Sequence, residues 1–315
     1  TKYTADPSAM VVGDTLFLYT SHDAHPEDIP DENEKNSAGF FMYDWLLWST
    51  TDMVNWTEHG AVASLRDFEW RSRDNGAWAI QTIERNGKFY LYAPLHGHGI
   101  GVLMADSPYG PFKDPLGKPL VWQQEHWDDI DPSVFIDDDG QAWMFWGNPH
   151  AYCVKLNEDM VSLDGEVFNL EMTEEGFGAP DMAKREKGVK YKDMYTEGPW
   201  IMKKPQMGAT KKFIKKGYYL LYAAGGGFGR SVAVEEFQFN ADGTFPTILP
   251  TDEGVKPVGT LNPYERVEAE TMAFSRGVKS EWNDETGVYV SETHEGDYIK
   301  LQAVDFGKKV PRTFT

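Results

Sequence analysis

Three short stretches place a carboxylate in one recurring local context: Thr4-Ala5-Asp6-Pro7-Ser8, Asp129-Ile130-Asp131-Pro132-Ser133 and Tyr195-Thr196-Glu197-Gly198-Pro199-Trp200. Each sets an acid ahead of a Pro or a Gly-Pro turn, near the start of a strand-like segment. Asp-Pro also initiates turns and caps strands, but two Asp-Pro-Ser triplets and a Glu-Gly-Pro-Trp at related places in a repeat are hard to explain as turns alone. No Cys/His cluster and no phosphate-cradling glycine loop accompanies them. Carboxylates acting without other groups fit hydrolysis of a glycosidic bond, in which a carboxylic acid protonates the leaving oxygen and a carboxylate activates water or attacks the sugar. A third carboxylate has a use too, since a nearby negative charge raises the pKa of the acid and can hold it in place.

The elements that must position these acids are short strands. Leu16-Phe17-Leu18-Tyr19, Phe89-Tyr90-Leu91-Tyr92, Trp143-Met144-Phe145-Trp146 and Tyr218-Tyr219-Leu220-Leu221-Tyr222 each follow a turn signal: Gly13-Asp14, Asn86-Gly87-Lys88, Asp138-Asp139-Gly140 and Lys216-Gly217. Such turns need residues that tolerate φ > 0. The runs recur at intervals of 54 to 76 residues, each about one four-stranded blade plus loops. The lead-in positions Asp6, Trp78 and Asp131 stand 13 to 15 residues before the last aromatic of their runs, and Glu197 stands 25 before its own, where a Lys-rich loop intervenes. These offsets predict one end of the innermost strand of successive propeller blades, where the ends converge on the axis. Outer strands are expected at Leu46-Leu47-Trp48-Ser49, Ile100-Gly101-Val102-Leu103-Met104 and Ser231-Val232-Ala233-Val234. The tail is expected to hold strands at Val267-Glu268-Ala269-Glu270, Gly287-Val288-Tyr289-Val290 and Tyr298-Ile299-Lys300-Leu301.

Composition narrows the ligand. A formal charge of −20 disfavours nucleic acid and anionic membrane surfaces, which need clustered cations. The one basic cluster, Lys211, Lys212, Lys215 and Lys216, reads as a solvated loop. Aromatics make up 14% of the residues, enough to fill a β core and to leave flat faces for stacking on a ligand. Cys153 is the single cysteine, so no disulfide forms within the chain, and it reads as a small buried hydrophobe. No stretch has the length and apolarity of a membrane span, and the first residue, Thr1, is expected of a processed or trimmed form.

The three acidic stretches, Ala77-Trp78-Ala79-Ile80-Gln81, Trp48-Ser49-Thr50-Thr51-Asp52-Met53-Val54-Asn55-Trp56 and Asn262-Pro263-Tyr264 together resemble glycoside hydrolase family 43. The resemblance points to its β-xylosidase, α-L-arabinofuranosidase and arabinoxylan arabinofuranohydrolase branch. It implies an all-β fold, a five-bladed β-propeller of which about four blade repeats are visible here, and inversion of the anomeric centre. Position by position, it implies Asp6 as general base, Glu197 as general acid, and Asp131 as the residue that tunes and orients the acid. Trp78 and Gln81 would line the sugar pocket, with His22 and Asp23 at its edge. Inversion implies carboxyl groups roughly 6.5 to 9.5 Å apart, leaving room for a water. No cofactor is required by this reading; a structural calcium is compatible with it, but no residue is assigned as a metal ligand.

Residues 1–264 are expected to form the catalytic propeller, with an internal deletion near 223–230, and residues 265–315 an incomplete β-sandwich resembling the opening of a family 6 carbohydrate-binding module. The deletion predicts a ring closed by regrouped strands or by a homodimer, because open sheet edges invite association. The expected activity is exo-acting removal of α-L-arabinofuranosyl or β-D-xylosyl units from plant cell-wall xylan, arabinoxylan or derived oligosaccharides. Endo-cleavage of arabinan and non-catalytic glycan binding are the alternatives. An extracellular location is expected, with the cytoplasm as the alternative.

Overall fold

Each aromatic run becomes a strand because it carries bulky side chains that must be covered on one or both faces of a sheet. The computed structural model describes residues 2–25, 40–124, 129–148, 150–171, 173, 198–200, 218–224, 230–242, 244 and 246–308. In chain order the strands are β1 (Tyr3–Val12), β2 (Thr15–Asp23), β3 (Asp44–Thr50), β4 (Trp56–Ser64), β5 (Gln81–Arg85), β6 (Lys88–Pro94), β7 (Ile100–Ala105), β8 (Ser133–Ile136), β9 (Ala142–Trp146), β10 (Tyr152–Leu156) and β11 (Phe168–Asn169). They continue as β12 (Tyr218–Ala224), β13 (Ser231–Phe237), β14 (Thr271–Met272), β15 (Phe274–Arg276), β16 (Lys279–Asn283), β17 (Gly287–Ser291) and β18 (Tyr298–Lys300). Among the described residues there is no α-helix, only a single 3-10 turn at Leu65–Asp67. The all-β expectation holds.

The strands form successive sheets, ordered β1-β2-β3-β4-β14, β5-β6-β7, β8-β9-β10-β11 and β12-β13, with two further two-stranded pairs in the tail, β15-β18 and the hairpin β16-β17. All four aromatic runs lie in the strand next to the lead-in or hairpin partner: β2, β6, β9 and β12. The Asn86-Gly87 turn has φ of 54° and 74°, the left-handed pair that a tight two-residue hairpin requires. The expected outer strands appear as β3, β7 and β13. In the tail, β17 and β18 lie where the sequence predicts them. The strand expected at Val267–Glu270 does not form: the backbone closes on itself through Thr271 N–H donating to Glu268 O (3.0 Å), and pairing begins only at Thr271.

The chain divides into two compact units. The first comprises Thr1–His25, Leu46–Val62 and Pro205–Thr315. Its apolar centre is Leu16, Leu18, Met53 and Val258, against which Trp48, Trp56, Tyr219, Leu221, Val232 and Val234 pack. The second comprises Pro26–Trp45 and Ala63–Lys204. Its core stacks β6, β7, β9 and β10 around Tyr92, Ile100, Val102, Met144, Trp146 and Val154. The Tyr92 hydroxyl, fully buried there, donates to Met160 O (2.7 Å), which removes the penalty of an unpaired phenol in an apolar core.

Candidate active site

In the first unit, Asp6 sits where β1 breaks register. Ala5 pairs with Ser21 and Ser8 with Tyr19, so Asp6 and Pro7 together oppose one residue of β2. That is a β-bulge, a device that re-aims a side chain. Pro7 has no N–H to lose from the ladder, and Asp6 takes φ of 49°, a conformation that Asp tolerates better than most residues. Such strain costs of order 1–3 kcal/mol and persists only where the surroundings impose it.

Three groups meet the Asp6 carboxylate. The Ser21 hydroxyl donates to Oδ2 (2.8 Å), Arg230 Nη1 lies 3.7 Å from Oδ1, and Asp23 is close enough to act through its charge. Burial raises the Asp6 pKa above its ordinary 3.8, and it outweighs the lowering by Arg230 and by the Ser21 hydrogen bond; Asp23 adds to the rise. Asp23 itself is 2% exposed and fully engaged: Arg230 donates to it from Nε (2.9 Å) and Nη2 (2.7 Å) in a fork. Arg230 is fixed in turn by its backbone, whose carbonyl accepts from Thr4 N–H (2.9 Å), while Val232 N–H donates to Thr4 Oγ1 (3.2 Å). His22 is half-buried on β2, opposite Thr4. Reading the sequence missed Arg230, which lies 207 residues from Asp23 and has no local motif to mark it.

In the second unit, Asp131 repeats the backbone of Asp6. Its φ is 53°, Pro132 follows, and Ser133 opens β8 and is completely buried, as Ser8 is in β1. Its neighbour Asp129 holds the approach, accepting from Trp146 Nε1 (2.8 Å) and Gln123 N–H (2.6 Å), while Gly147 N–H donates to Ile130 O (3.0 Å). Gln81 is buried and spends both ends of its amide on Val134, donating from Nε2 to its carbonyl (3.1 Å) and accepting from its N–H at Oε1 (2.6 Å). It therefore acts as a peptide mimic that sews β5 to β8. The same bond sets the starts of β5 and β8 side by side, which brings Trp78, three residues before β5, and Asp131, two before β8, to the same end of the neighbouring sheets. Glu197 lies outside the described residues.

This chemistry has counterparts among known proteins. Residues 1–227 match the family model described as Glycosyl hydrolases family 43. The arabinoxylan arabinofuranohydrolase of Bacillus subtilis (strain 168) is 29% identical over 391 residues, covering 98% of this chain and 76% of that protein. An arabinoxylan arabinofuranohydrolase of Paenibacillus polymyxa is 28% identical over 399 residues, covering 99% of this chain and 61% of its own length. Among solved structures, a family 43 arabinoxylan arabinofuranohydrolase from Bacillus subtilis, in complex with cellotetraose, superposes with a TM-score of 0.72 at 25% identity, over 97% of this chain and 79% of that one. A β-xylosidase/α-arabinofuranosidase from a compost microbial metagenome shares the fold alone, with a TM-score of 0.60 at 24% identity over 78% of this chain and 94% of that one. With nearly three quarters of its length inside the family model and a left-handed Asp ahead of Pro-Ser occurring twice within that span, the chain belongs to glycosyl hydrolases family 43, a family of glycoside hydrolases.

Proposed function

We propose that this protein is an inverting exo-glycosidase that releases α-L-arabinofuranosyl or β-D-xylosyl units from xylan, arabinoxylan or oligosaccharides derived from them. The observation that carries the reading is the pair of Asp-Pro-Ser segments with matching left-handed Asp residues, one of them held by Ser21 and faced by Arg230. The names of the relatives, arabinoxylan arabinofuranohydrolase and xylosidase/arabinosidase, support the choice of sugar. In the proposed mechanism Asp6 takes a proton from a water as the water oxygen bonds to the anomeric carbon. Glu197 gives its proton to the glycosidic oxygen as the bond from that carbon breaks, and Asp131 keeps Glu197 protonated and oriented. Attack from the face opposite the leaving group inverts the centre.

The sheets fit blades of a β-propeller, with Asp6 in β1, Trp78 ahead of β5 and Asp131 ahead of β8. Two observations support an internal deletion near 223–230. The family match ends at residue 227, and the alignments of 391 and 399 residues exceed this chain's 315, so the relatives carry stretches that this chain lacks. Regrouping of strands is supported by the attachment of β13 to β1 through Thr4 and Arg230.

Hydrolysis of nitrophenyl α-L-arabinofuranoside and β-D-xyloside, with the product anomer followed by NMR, tests the reading. Glu197→Gln is expected to lower kcat by roughly 10²- to 10⁴-fold. Equal rates for the two proteins remove Glu197 from the mechanism. Retained affinity for oligosaccharide with no release by the native chain favours the glycan-binding alternative.

A further inference from the structure

The segment that carries Asp131 is held on both sides. Upstream, Asp129 accepts from Trp146 Nε1 and Gln123 N–H, and Ile130 O accepts from Gly147 N–H. Downstream, Val134 is 1% exposed and stands opposite Met144 of β9, yet both its N–H and its carbonyl are taken by the Gln81 amide. Those two groups therefore lie on the edge of β8 turned away from β9. β8 ends its sheet in the order β11-β10-β9-β8, so among the described residues no strand pairs with that edge. Gln81 supplies the donor and the acceptor that such a strand would supply.

A side chain fixes its partner only if it is itself fixed. Gln81 is 7% exposed and opens β5, where it pairs with Tyr92 of β6. Three residues earlier, Trp78 O accepts from the Nε1 of the fully buried Trp45 (2.7 Å), and the Trp78 ring lies 4.4 Å from that of His96. Gly76 and Ala77 N–H both donate to Met42 O, at 2.9 Å each. The first unit ties its own acid in a similar manner. Two residues before Asp6, Thr4 donates its N–H to Arg230 O and accepts from Val232 N–H at Oγ1, reaching the separate sheet of β12 and β13. Between the anchors at Ile130 and Val134, Pro132 fixes its own φ and Ser133 pairs with Phe145. The left-handed φ of 53° at Asp131 is therefore imposed by its surroundings, as a strained backbone requires.

We propose that Gln81 is a positioning residue for Asp131, holding in place the backbone that carries its carboxyl. The inference rests on the glycosidase reading, in which Asp131 orients the proton donor. It gives Gln81 a part in the reaction through the main chain of β8 and not through contact with the sugar. Such a part is visible in which substrates it affects. Proton donation matters most for a poor leaving group. A sugar hydroxyl leaves badly unless it is protonated, whereas nitrophenolate leaves with less help.

The test compares three variants with the native chain: Gln81→Met, which keeps the volume and loses both hydrogen bonds, Gln81→Asn, which is too short to make both, and Gln81→Glu. Steady-state kinetics are measured on nitrophenyl α-L-arabinofuranoside or β-D-xyloside, whichever the native chain cleaves faster, and on an oligosaccharide carrying the same sugar. Gln81→Met is expected to lower kcat on the oligosaccharide roughly 10- to 100-fold, the loss that follows a misplacement of about 1 Å. A smaller fall is expected on the nitrophenyl glycoside, with KM held on both. Gln81→Glu, whose buried carboxyl stays protonated and offers one donor and one acceptor, is expected to restore most of that kcat. Gly101→Ala, which crowds Phe68 from β7 of the same unit, controls for lost stability and is expected to leave kcat unchanged on both substrates. Should Gln81→Met fail to fold, judged by thermal unfolding, Gln81→Asn carries the comparison. Native kcat in a folded variant lacking the hydrogen bonds overturns the proposal, as does an equal fall on both substrates or a Gln81→Glu variant no better than Gln81→Met. A native chain that hydrolyses neither substrate overturns the hydrolase reading and this inference together, whereas an active native chain indifferent to Gln81 overturns this inference alone.

Discussion

At the scale of single residues, the Asp6 surroundings set two opposing demands. In its proposed role as general base Asp6 must be ionised, yet burial favours its neutral form. Arg230 offsets part of that cost, although its fork is committed to Asp23 and only Nη1 is turned to Asp6. Because the folded pKa of Asp6 lies above 3.8, the ionised base is lost as pH falls through that raised value, and kcat/KM falls with it on the acid side. For stability the sign is reversed: a raised carboxyl pKa favours the folded state at low pH, and that contribution is lost as pH rises through it. Arg230→Ala removes the lowering charge, so the acid limb of the pH–rate profile is expected to move to higher pH. It also leaves Asp23 buried without its fork, at a cost of about 3–5 kcal/mol read from denaturant unfolding. Arg230→Lys, which keeps the charge and loses the fork, is expected to restore the limb more fully than the stability. An unmoved acid limb in Arg230→Ala would exclude Arg230 from acting on Asp6.

At the scale of elements, strand and turn signals were largely legible. The aromatic runs became β2, β6, β9 and β12 because a half-buried pleated surface is what such side chains fit. The Asp-Pro-Ser motif was legible as a repeat, but its left-handed backbone was not; at Asp6 that φ is imposed by the strand pairing on either side. Gly101 illustrates a demand made entirely by packing. It lies in β7, and a Cβ there would fall 2.4 Å from Phe68 Cε1 and 2.9 Å from Trp70 Cζ2. Phe68 is fully buried and the Trp70 indole donates to Asp114 (2.9 Å), so neither ring yields freely. Gly101→Ala is expected to cost about 1–3 kcal/mol, seen as a lower Tm without a change in the circular dichroism of the folded state; an unchanged Tm would show that β7 can shift.

At the scale of the molecule, the tail is tied into the first unit. β14 extends the sheet of β1–β4, pairing Thr271 with Thr57 and Met272 with Trp56. Ser280 donates to Glu58 Oε2 (2.7 Å) in a buried contact, and Asn55 both donates to Gln302 O (2.8 Å) and accepts from Gln302 N–H (2.8 Å). Asn55→Ala removes that reciprocal pair, at about 1–3 kcal/mol, and is expected to expose the tail to limited proteolysis while β1–β4 stay protected; equal resistance in both proteins would show that the other contacts hold the tail unaided. The sequence by itself determined the class of the fold, the position of its hairpins, the recurrence of an acid ahead of a turn and, through those motifs, the family. These are properties of neighbours along the chain, where side-chain alternation and turn preference act over a few residues. Tertiary structure alone decided that Arg230 serves Asp23 and Asp6, that Gln81 bonds Val134, and that His96 meets Trp78. Each of these joins groups far apart in sequence, through hydrogen bonds and ring contacts that no local pattern encodes, and each changes what an acid or a ring in this protein is able to do.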